Sequence, residues 1–372
     1  MKKIIVLGGA GDMGSRAVED LAGAPDIERV TVADRNLAAA SKLVAKLRGS
    51  VTSVDAKSVD ATDHEALVAT MRGYDVAASA LGPFYRFEAP LIRAAIEAGV
   101  DYASICDDYS AAEAALELDE AAREAGCTVI TGLGTSPGLS NLLIRYLGRD
   151  MDRIRRADVY VYQPLNAGGG QAVIKHMLYI ISGNVTAWRG GERVLVRACS
   201  EERTVEFPRF GRIRTWNMGH SEPVTVPRFI PDVEECSFFM GFGRGSALFI
   251  QPARWGLFGS DRRIDWTARL FAPIERLTAG QEPAPGALRV DVWGEVDGVE
   301  TQRTACGVGK MREATALSLS VGTQMLARRE LSVAAGGVYA PEACFDPAPF
   351  VAAMRAKGVE AFEDAAMTRP LA

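Results

Sequence analysis

The chain is short of the side chains that most often announce a mechanism. It has three histidines, His64, His176 and His220, so imidazole chemistry has few possible addresses. Its six cysteines stand apart, at positions 106, 127, 199, 236, 306 and 344, with no CxxC pair. That spacing argues against a disulfide framework or a zinc site, so no metal is expected and a reduced, cytoplasmic setting fits. Neither sign of charge dominates, because 42 basic and 47 acidic residues leave a net charge of -5, which makes nucleic acid a poor partner. The most apolar window, Phe238 to Phe258, is interrupted by Arg244, Gln251, Pro252 and Arg254, so no membrane span is expected. The start MKKIIVLGG enters a strand-like run with no separate apolar region and cleavage site, so no signal peptide is expected.

What the chain does have is length and an apolar fraction of 48% over 372 residues, enough for two cores. Its clearest motif is Lys2 to Leu7, an apolar strand, breaking into Gly9-x-Gly11-x-x-Gly14, with Asp34 twenty residues after the last glycine. Gly9 is expected to permit the tight strand-to-helix turn, Gly11 to let backbone approach a pyrophosphate, and Gly14 to let helix pack closely on strand. The following helix would offer unpaired N–H groups and the positive end of its dipole to the phosphates. Gly9, Gly11, Asp12, Met13 and Gly14 are therefore candidate cofactor residues.

From residue 1 to 148 the pattern predicts a doubly wound parallel sheet, with strands at 3–7, 29–33, 51–54, 75–80, 101–105 and 127–131 separated by helices. Ligands of such sheets lie outside the carboxyl ends of the strands, so the residues there are inspected in turn. Asp34 can accept both hydroxyls of an adenosine ribose and would repel a 2′-phosphate, which leans the cofactor, NAD(P), toward NAD. Arg35 could stack on adenine or pair with that phosphate, or be a solvated loop residue. Asp60 could face the adenine edge or cap the next helix. In Ala80-Leu81-Gly82 the small residues let the backbone pass close to the nicotinamide ribose, and Tyr85 follows near the expected ring. Of the adjacent Asp107 and Asp108, one is expected to cap the next helix, leaving Asp107 as a proton-transfer candidate; capping alone would also explain the pair. Ser136 and Asn141, in the turn Thr131 to Asn141, suit a substrate carboxylate or the nicotinamide amide.

Residues 149–311 read as a second, α+β domain for substrate binding and dimerisation. Its strands are expected at 157–162, 193–198, 203–207, 246–251, 264–271, 287–295 and 299–306, in a largely antiparallel sheet with one helix at 171–181. The aromatics Phe238, Phe239, Phe242, Phe249, Trp255 and Phe258 would pack in its core, or line a dimer interface or pocket. Lys175, His176 and His220 are the natural proton shuttles of a hydride-transfer reaction, set against the ordinary structural role of a histidine. Residues 312–372 are expected to return as helices onto the first domain, making it discontinuous.

The segments Gly9 to Gly14, Ala89 to Tyr102 (APLIRAAIEAGVDY), Gly132 to Asn141 (GLGTSPGLSN) and Gly337 to Glu342 resemble the saccharopine dehydrogenase-like oxidoreductases, and within them the lysine 6-dehydrogenases. The centre departs from that pattern at Ala167 to Gln171 and at Ile105 to Asp108. The resemblance implies a Rossmann domain, a substrate domain with a mixed sheet, NAD(P), and oxidation or reduction at a carbon bearing nitrogen in an amino acid-like small molecule. It also matches Asp34 to the residue that reads the adenosine ribose. Two other readings stand beside it: a carbonyl or enoyl reductase on the same fold, and a dinucleotide-binding regulatory protein without catalysis. A homodimer is expected.

Overall fold

The computed structural model describes residues 1–164, 170–243, 247–256, 258, 262–264, 266–269 and 284–371. The chain begins β1 (Lys2–Leu7), α1 (Asp12–Leu21), β2 (Ile27–Asp34), α2 (Leu37–Lys46), β3 (Ser53–Ser58), α3 (His64–Met71), β4 (Val76–Ser79) and α4 (Phe84–Ala98). Next come β5 (Asp101–Ser104), α5 (Tyr109–Leu116), α6 (Asp119–Glu124), β6 (Thr128–Ile130), α7 (Leu139–Leu147), β7 (Arg153–Tyr162), α8 (Gly170–Ile180), β8 (Asn184–Arg189) and β9 (Glu192–Arg197). Then follow β10 (Glu202–Phe207), β11 (Gly211–Asn217), α9 (Glu222–Phe229), β12 (Glu235–Gly241), α10 (Ala247–Arg254), β13 (Gly286–Val296) and β14 (Val299–Gly309). The long helix Met311–Arg328, β15 (Gly337–Tyr339) and the helices Pro341–Cys344 and Pro347–Ala356 close the chain.

The elements fall into two compact units, residues 1–134 with 312–346 and residues 135–311 with 347–372. The first unit holds a seven-stranded parallel sheet in the order β15-β6-β5-β4-β1-β2-β3. Its inner strands are continuous apolar runs because both faces are covered: Ile4 to Leu7 of β1 and all four residues of β4 are buried. Helix starts follow local chemistry. The Asn36 side chain accepts the Ala39 N–H at 3.1 Å to open α2, and Asp63 accepts the Ala66 N–H at 3.0 Å to open α3. Gly99, at φ 70°, stops α4 in the left-handed conformation that suits glycine. Leu7, Val68, Leu91, Ile92, Tyr102, Val129 and Val338 share the core.

Strand order reverses between β1 and β4, which puts the crevice of this sheet at the carboxyl ends Leu7 and Ser79. Two expectations shift here. The third strand is Ser53–Ser58 rather than 51–54, because an edge strand tolerates polar residues such as Asp55 and Lys57 that a hydrophobicity reading assigns to a loop. The connection from β5 to β6 holds two helices, α5 and α6, and β15 adds a seventh strand beside β6, where six were expected.

The second unit carries an eight-stranded sheet, β10-β11-β12-β7-β13-β14, with β8 bonded to β12 and β9. Only the β12–β7 pair is parallel among its described strands. The Val296 to Val299 hairpin turns through Asp297 at φ 51° and Gly298 at φ 74°, as a two-residue turn requires. Three of its strands, β8, β11 and β12, are absent from the sequence reading. Of the run expected as strand 246–251, residues 247–251 are helical in α10, and in 264–271 residues 264 and 266–269 are helical. Short apolar runs carry no period that separates a buried strand from a buried helix. Helix α7 and the helix Pro347–Ala356 pack together in this second unit, rather than with the first domain as the 148 and 312–372 boundaries imply.

Candidate active site

In the first unit the β1–α1 turn is built by backbone proximity. Gly8 takes φ 69°, and the N–H groups of Gly8 and Gly9 both donate to the Ala33 carbonyl, at 2.9 and 3.2 Å. The positive-φ residue is thus Gly8, not Gly9. Gly9 is needed because a Cβ there would lie 2.7 Å from the Val6 carbonyl oxygen. A Cβ on Gly14 would collide with the Gly8 carbonyl oxygen, so helix and strand touch only through glycine. At Gly11 a Cβ would meet only that same oxygen, at 3.1 Å, and otherwise fill open space above the turn. Gly11 is also the N-cap of α1 and supplies no side-chain acceptor to the first-turn N–H groups. Uncapped donors facing a cradle that one methyl would fill suit the diphosphate of a dinucleotide.

The neighbouring strand ends complete this rim. Asp34 accepts the Ala10 N–H at 3.2 Å through Oδ2 and the Asn36 N–H at 2.9 Å through Oδ1, so its carboxylate ties the glycine turn to the end of β2. Arg35 is exposed beside it. Asp60 lies two residues beyond β3, where Oδ1 accepts the Thr62 N–H and hydroxyl at 2.9 and 2.7 Å; those bonds hold its carboxyl below the usual value. After β4, the Ala80 N–H donates to the Leu7 carbonyl at 3.0 Å, and a Cβ on Gly8 would lie 3.1 Å from Ala80 and Leu81. Leu81 and Gly82 then lead into α4.

Asp107 is half-buried at the end of β5, and Asp108 occupies the N-cap position of α5. The expected cap bond is not made. Asp108 Oδ2 instead accepts the Tyr85 N–H at 2.9 Å, fastening the α5 start to the first turn of α4. Beneath these loops the carboxyl of Glu88 is wholly buried, accepting hydroxyls from Tyr102 at 3.0 Å, Thr131 at 3.1 Å and Ser104. Burial pushes Glu88 up to about 7 against the pull of those hydroxyls, and the Asp108 charge adds to the rise. Burial, then the charges of Glu88 and Asp108, also push the Cys106 thiol well above its ordinary value, which favours its protonated form.

In the second unit a buried polar cluster forms around the start of α9. Glu222, fully buried in the first turn of that helix, accepts the Ser140 hydroxyl at 2.8 Å and the Ser136 hydroxyl, and meets Nδ1 of His220. Burial would raise Glu222, but the His220 ring and the two serines outweigh it and hold the carboxyl below its ordinary value. The His220 ring stacks on Phe238 with centroids 3.8 Å apart and planes 8° apart. His176 of α8 approaches it edge-on at 6.1 Å. Lys175 is the next residue on that helix, so its direction differs from that of His176 by about 100°.

Of the expected substrate contacts, Ser136 lies in this cluster. Asn141 is fully buried; its Oδ1 accepts the Gly138 N–H at 3.0 Å and the Ser140 hydroxyl at 3.0 Å, and its Nδ2 donates to Thr225 at 3.1 Å. It braces the start of α7 against α9, because a buried amide takes whatever partners lie inside, and this departs from the expected ligand contact. His64 pairs with Glu97 at 2.8 Å on the exposed surface. Among the aromatics, Phe238, Phe239, Phe242 and Phe258 are buried and Trp255 is exposed; the Phe249 side chain lies outside the described residues. So do residues 165–169, which include most of the segment Ala167 to Gln171.

Sequence reasoning missed Glu88 and Glu222. The signal for Glu222 was present, as Ser221-Glu222-Pro223 is a helix start with an acidic first turn. Nothing around Glu88 announces a buried carboxyl, since its partners come from two other strand ends.

Residues 4–130 match the family model described as the saccharopine dehydrogenase NADP binding domain. Carboxynorspermidine synthase of Vibrio cholerae is 26% identical over 239 residues, 58% of this chain and 56% of that protein. The NADP(+), L-glutamate-forming saccharopine dehydrogenase of Pyricularia oryzae is 34% identical over 114 residues, 31% of this chain and 23% of that protein. The chain therefore spans about half or less of the length of these curated relatives. Among solved structures, the L-Glu-forming saccharopine dehydrogenase from Saccharomyces cerevisiae has the same fold, with a TM-score of 0.69 at 17% identity over 96% of this chain and 98% of that one. Residues 4–130, with the dinucleotide turn at their start, are thus similar to the NADP-binding domain of saccharopine dehydrogenases, and the chain shares the fold of one of them.

Proposed function

We propose that the protein is an NAD(P)-dependent oxidoreductase that moves a hydride to or from a carbon–nitrogen bond, amine or imine, of an amino acid-like substrate. When bound, the nicotinamide dinucleotide supplies or takes the hydride. The observation that carries the proton half of the reaction is the His220–Glu222 pair. An ionised Glu222 accepts the Nδ1–H of His220, which fixes the tautomer and leaves Nε2 to take or give a proton at the substrate nitrogen. Phe238 holds the ring plane, and His176 stands at its edge. Asp107 and Lys175 remain secondary candidates for that proton. The convergence of His220, Glu222, Ser136 and Ser140 favours a catalytic protein over a purely regulatory dinucleotide binder.

Two relatives support the substrate class by their names, an L-glutamate-forming saccharopine dehydrogenase and a carboxynorspermidine synthase. Asp34 at the end of β2 favours NAD, since a second anion beside it would be repelled. Purified protein is to be assayed with NAD and then NADP against amines, amino acids, and oxo acids paired with amines, following reduced-nicotinamide absorbance. Turnover with a nitrogen-bearing pair, faster with NAD, is the expected result. Turnover with carbonyl compounds alone would replace the reading with carbonyl reduction, and cofactor binding with no turnover at all would overturn it.

A further inference from the structure

We propose that Arg312, delivered by the C-terminal return of the chain, binds the diphosphate of the dinucleotide; this rests on the dinucleotide reading of the β1–α1 turn. Arg312 is the second residue of the helix Met311–Arg328, three hundred residues from the glycine motif, yet it lies against the first turn of α1. Its Nε donates to Asp12 Oδ1 at 2.6 Å, one Nη donates to Ser15 Oγ at 3.2 Å, and the other to Glu313 at 3.1 Å. Asp12 and Ser15 flank the N–H groups that no side chain caps.

Charge decides what this arrangement is for. Asp12 suits the positive end of an empty helix, but its carboxylate would stand beside an incoming diphosphate, and like charges a few ångströms apart repel. Arg312 already neutralises Asp12 at that point. A guanidinium carries five N–H donors in a planar fork. Three are directed to Asp12, Ser15 and Glu313, which leaves one on each Nη for a phosphate oxygen. The side chain is 28% exposed, so those donors are reachable. Arg16, the next cation on α1, is turned to Glu313, so it does not compete for the same place. Arg312 therefore converts an acidic helix start into one that tolerates a dianion, and it acts alike on NAD and NADP because both carry the diphosphate.

The test compares equilibrium binding of NADH, NADPH and ADP-ribose to the full chain, by fluorescence or calorimetry, in the unaltered protein, Arg312→Gln and Asp12→Asn, with a melting curve for each. Arg312→Gln is expected to weaken all three ligands by roughly tenfold and in the same ratio, the value of a lost charge-assisted hydrogen bond. Asp12→Asn breaks the same ion pair but removes the repelling charge and frees a further Arg312 donor, so all three ligands are expected to bind more tightly. If Arg312 only clamps its helix to α1, both variants will lower the melting temperature alike and leave the affinities of Arg312→Gln unchanged, or both will weaken binding equally; either result overturns the proposal. If the unaltered protein binds none of the three, the dinucleotide reading itself fails.

Discussion

Glu88 and Glu222 are both wholly buried carboxyls, and their surroundings send them in opposite directions. Glu88 meets only neutral hydroxyls and a neighbouring carboxylate, so burial wins; Glu222 faces His220, so its charged form persists. Because Glu88 rises from 4.5 to about 7, its contribution to stability is present in full below 4.5 and is lost as pH climbs through 7. The loss is roughly 3 kcal/mol, and Glu88→Gln is expected to remove that part of the pH dependence of urea midpoints between about pH 5 and about pH 8. An unchanged pH profile in that variant would refute the assignment. Glu222 has the reverse sign: its contribution holds above the ordinary carboxylate range and falls away as pH drops through its lowered native value. His220→Asn is expected to lower kcat by about 10²- to 10⁴-fold while dinucleotide affinity stays put, read by turnover beside ligand titration. Of these residues only His220 could be nominated from sequence, because histidine is rare here; a glutamate among 47 acidic residues gives no hint of its depth.

At the scale of elements, the glycine motif and its strand were legible because backbone geometry demands those residues whatever surrounds them. Only the division of labour needed coordinates: Gly8 turns, while Gly9 and Gly14 make room. Gly14→Ala forces α1 away from the Gly8 carbonyl and is expected to cost about 2 kcal/mol or more, together with most dinucleotide affinity. A variant that melts and binds like the parent would contradict the packing argument. The second sheet was read less well. The central strand β12, with six of its seven residues buried, shows no alternation, and β11 carries charged residues that mimic a loop. Helix α10 failed for the opposite reason, its Leu-Phe-Ile run resembling a strand.

Across the whole molecule, the chain leaves the first unit, builds the second, and returns to complete the first with the helix Met311–Arg328 and β15. Sequence motifs near Gly337 marked the return, but a three-residue strand pairing with β6 is set by tertiary contact alone. Among the described residues no helix is long and apolar enough to cross a membrane. On one face of the second sheet Arg156, Arg203, Arg289, Asp291, Tyr160 and Trp293 line an open cavity of about 450 Å³. These charges are paired within the chain, Arg156 and Arg203 with Asp158 and Arg289 with Asp291; we propose that a homodimer forms through that face of the sheet. Light scattering of the native protein and of Arg289→Glu checks it: a dimer weakened by the substitution agrees, a monomer at all concentrations does not.

The central claim is hydride transfer at a carbon–nitrogen bond. Its most direct measurement is the rate of reduced-nicotinamide oxidation with a 2-oxo acid or aldehyde, with and without a primary amine, in the unaltered protein. The account predicts a rate that appears only when the amine is present. An equal rate without it would contradict the account.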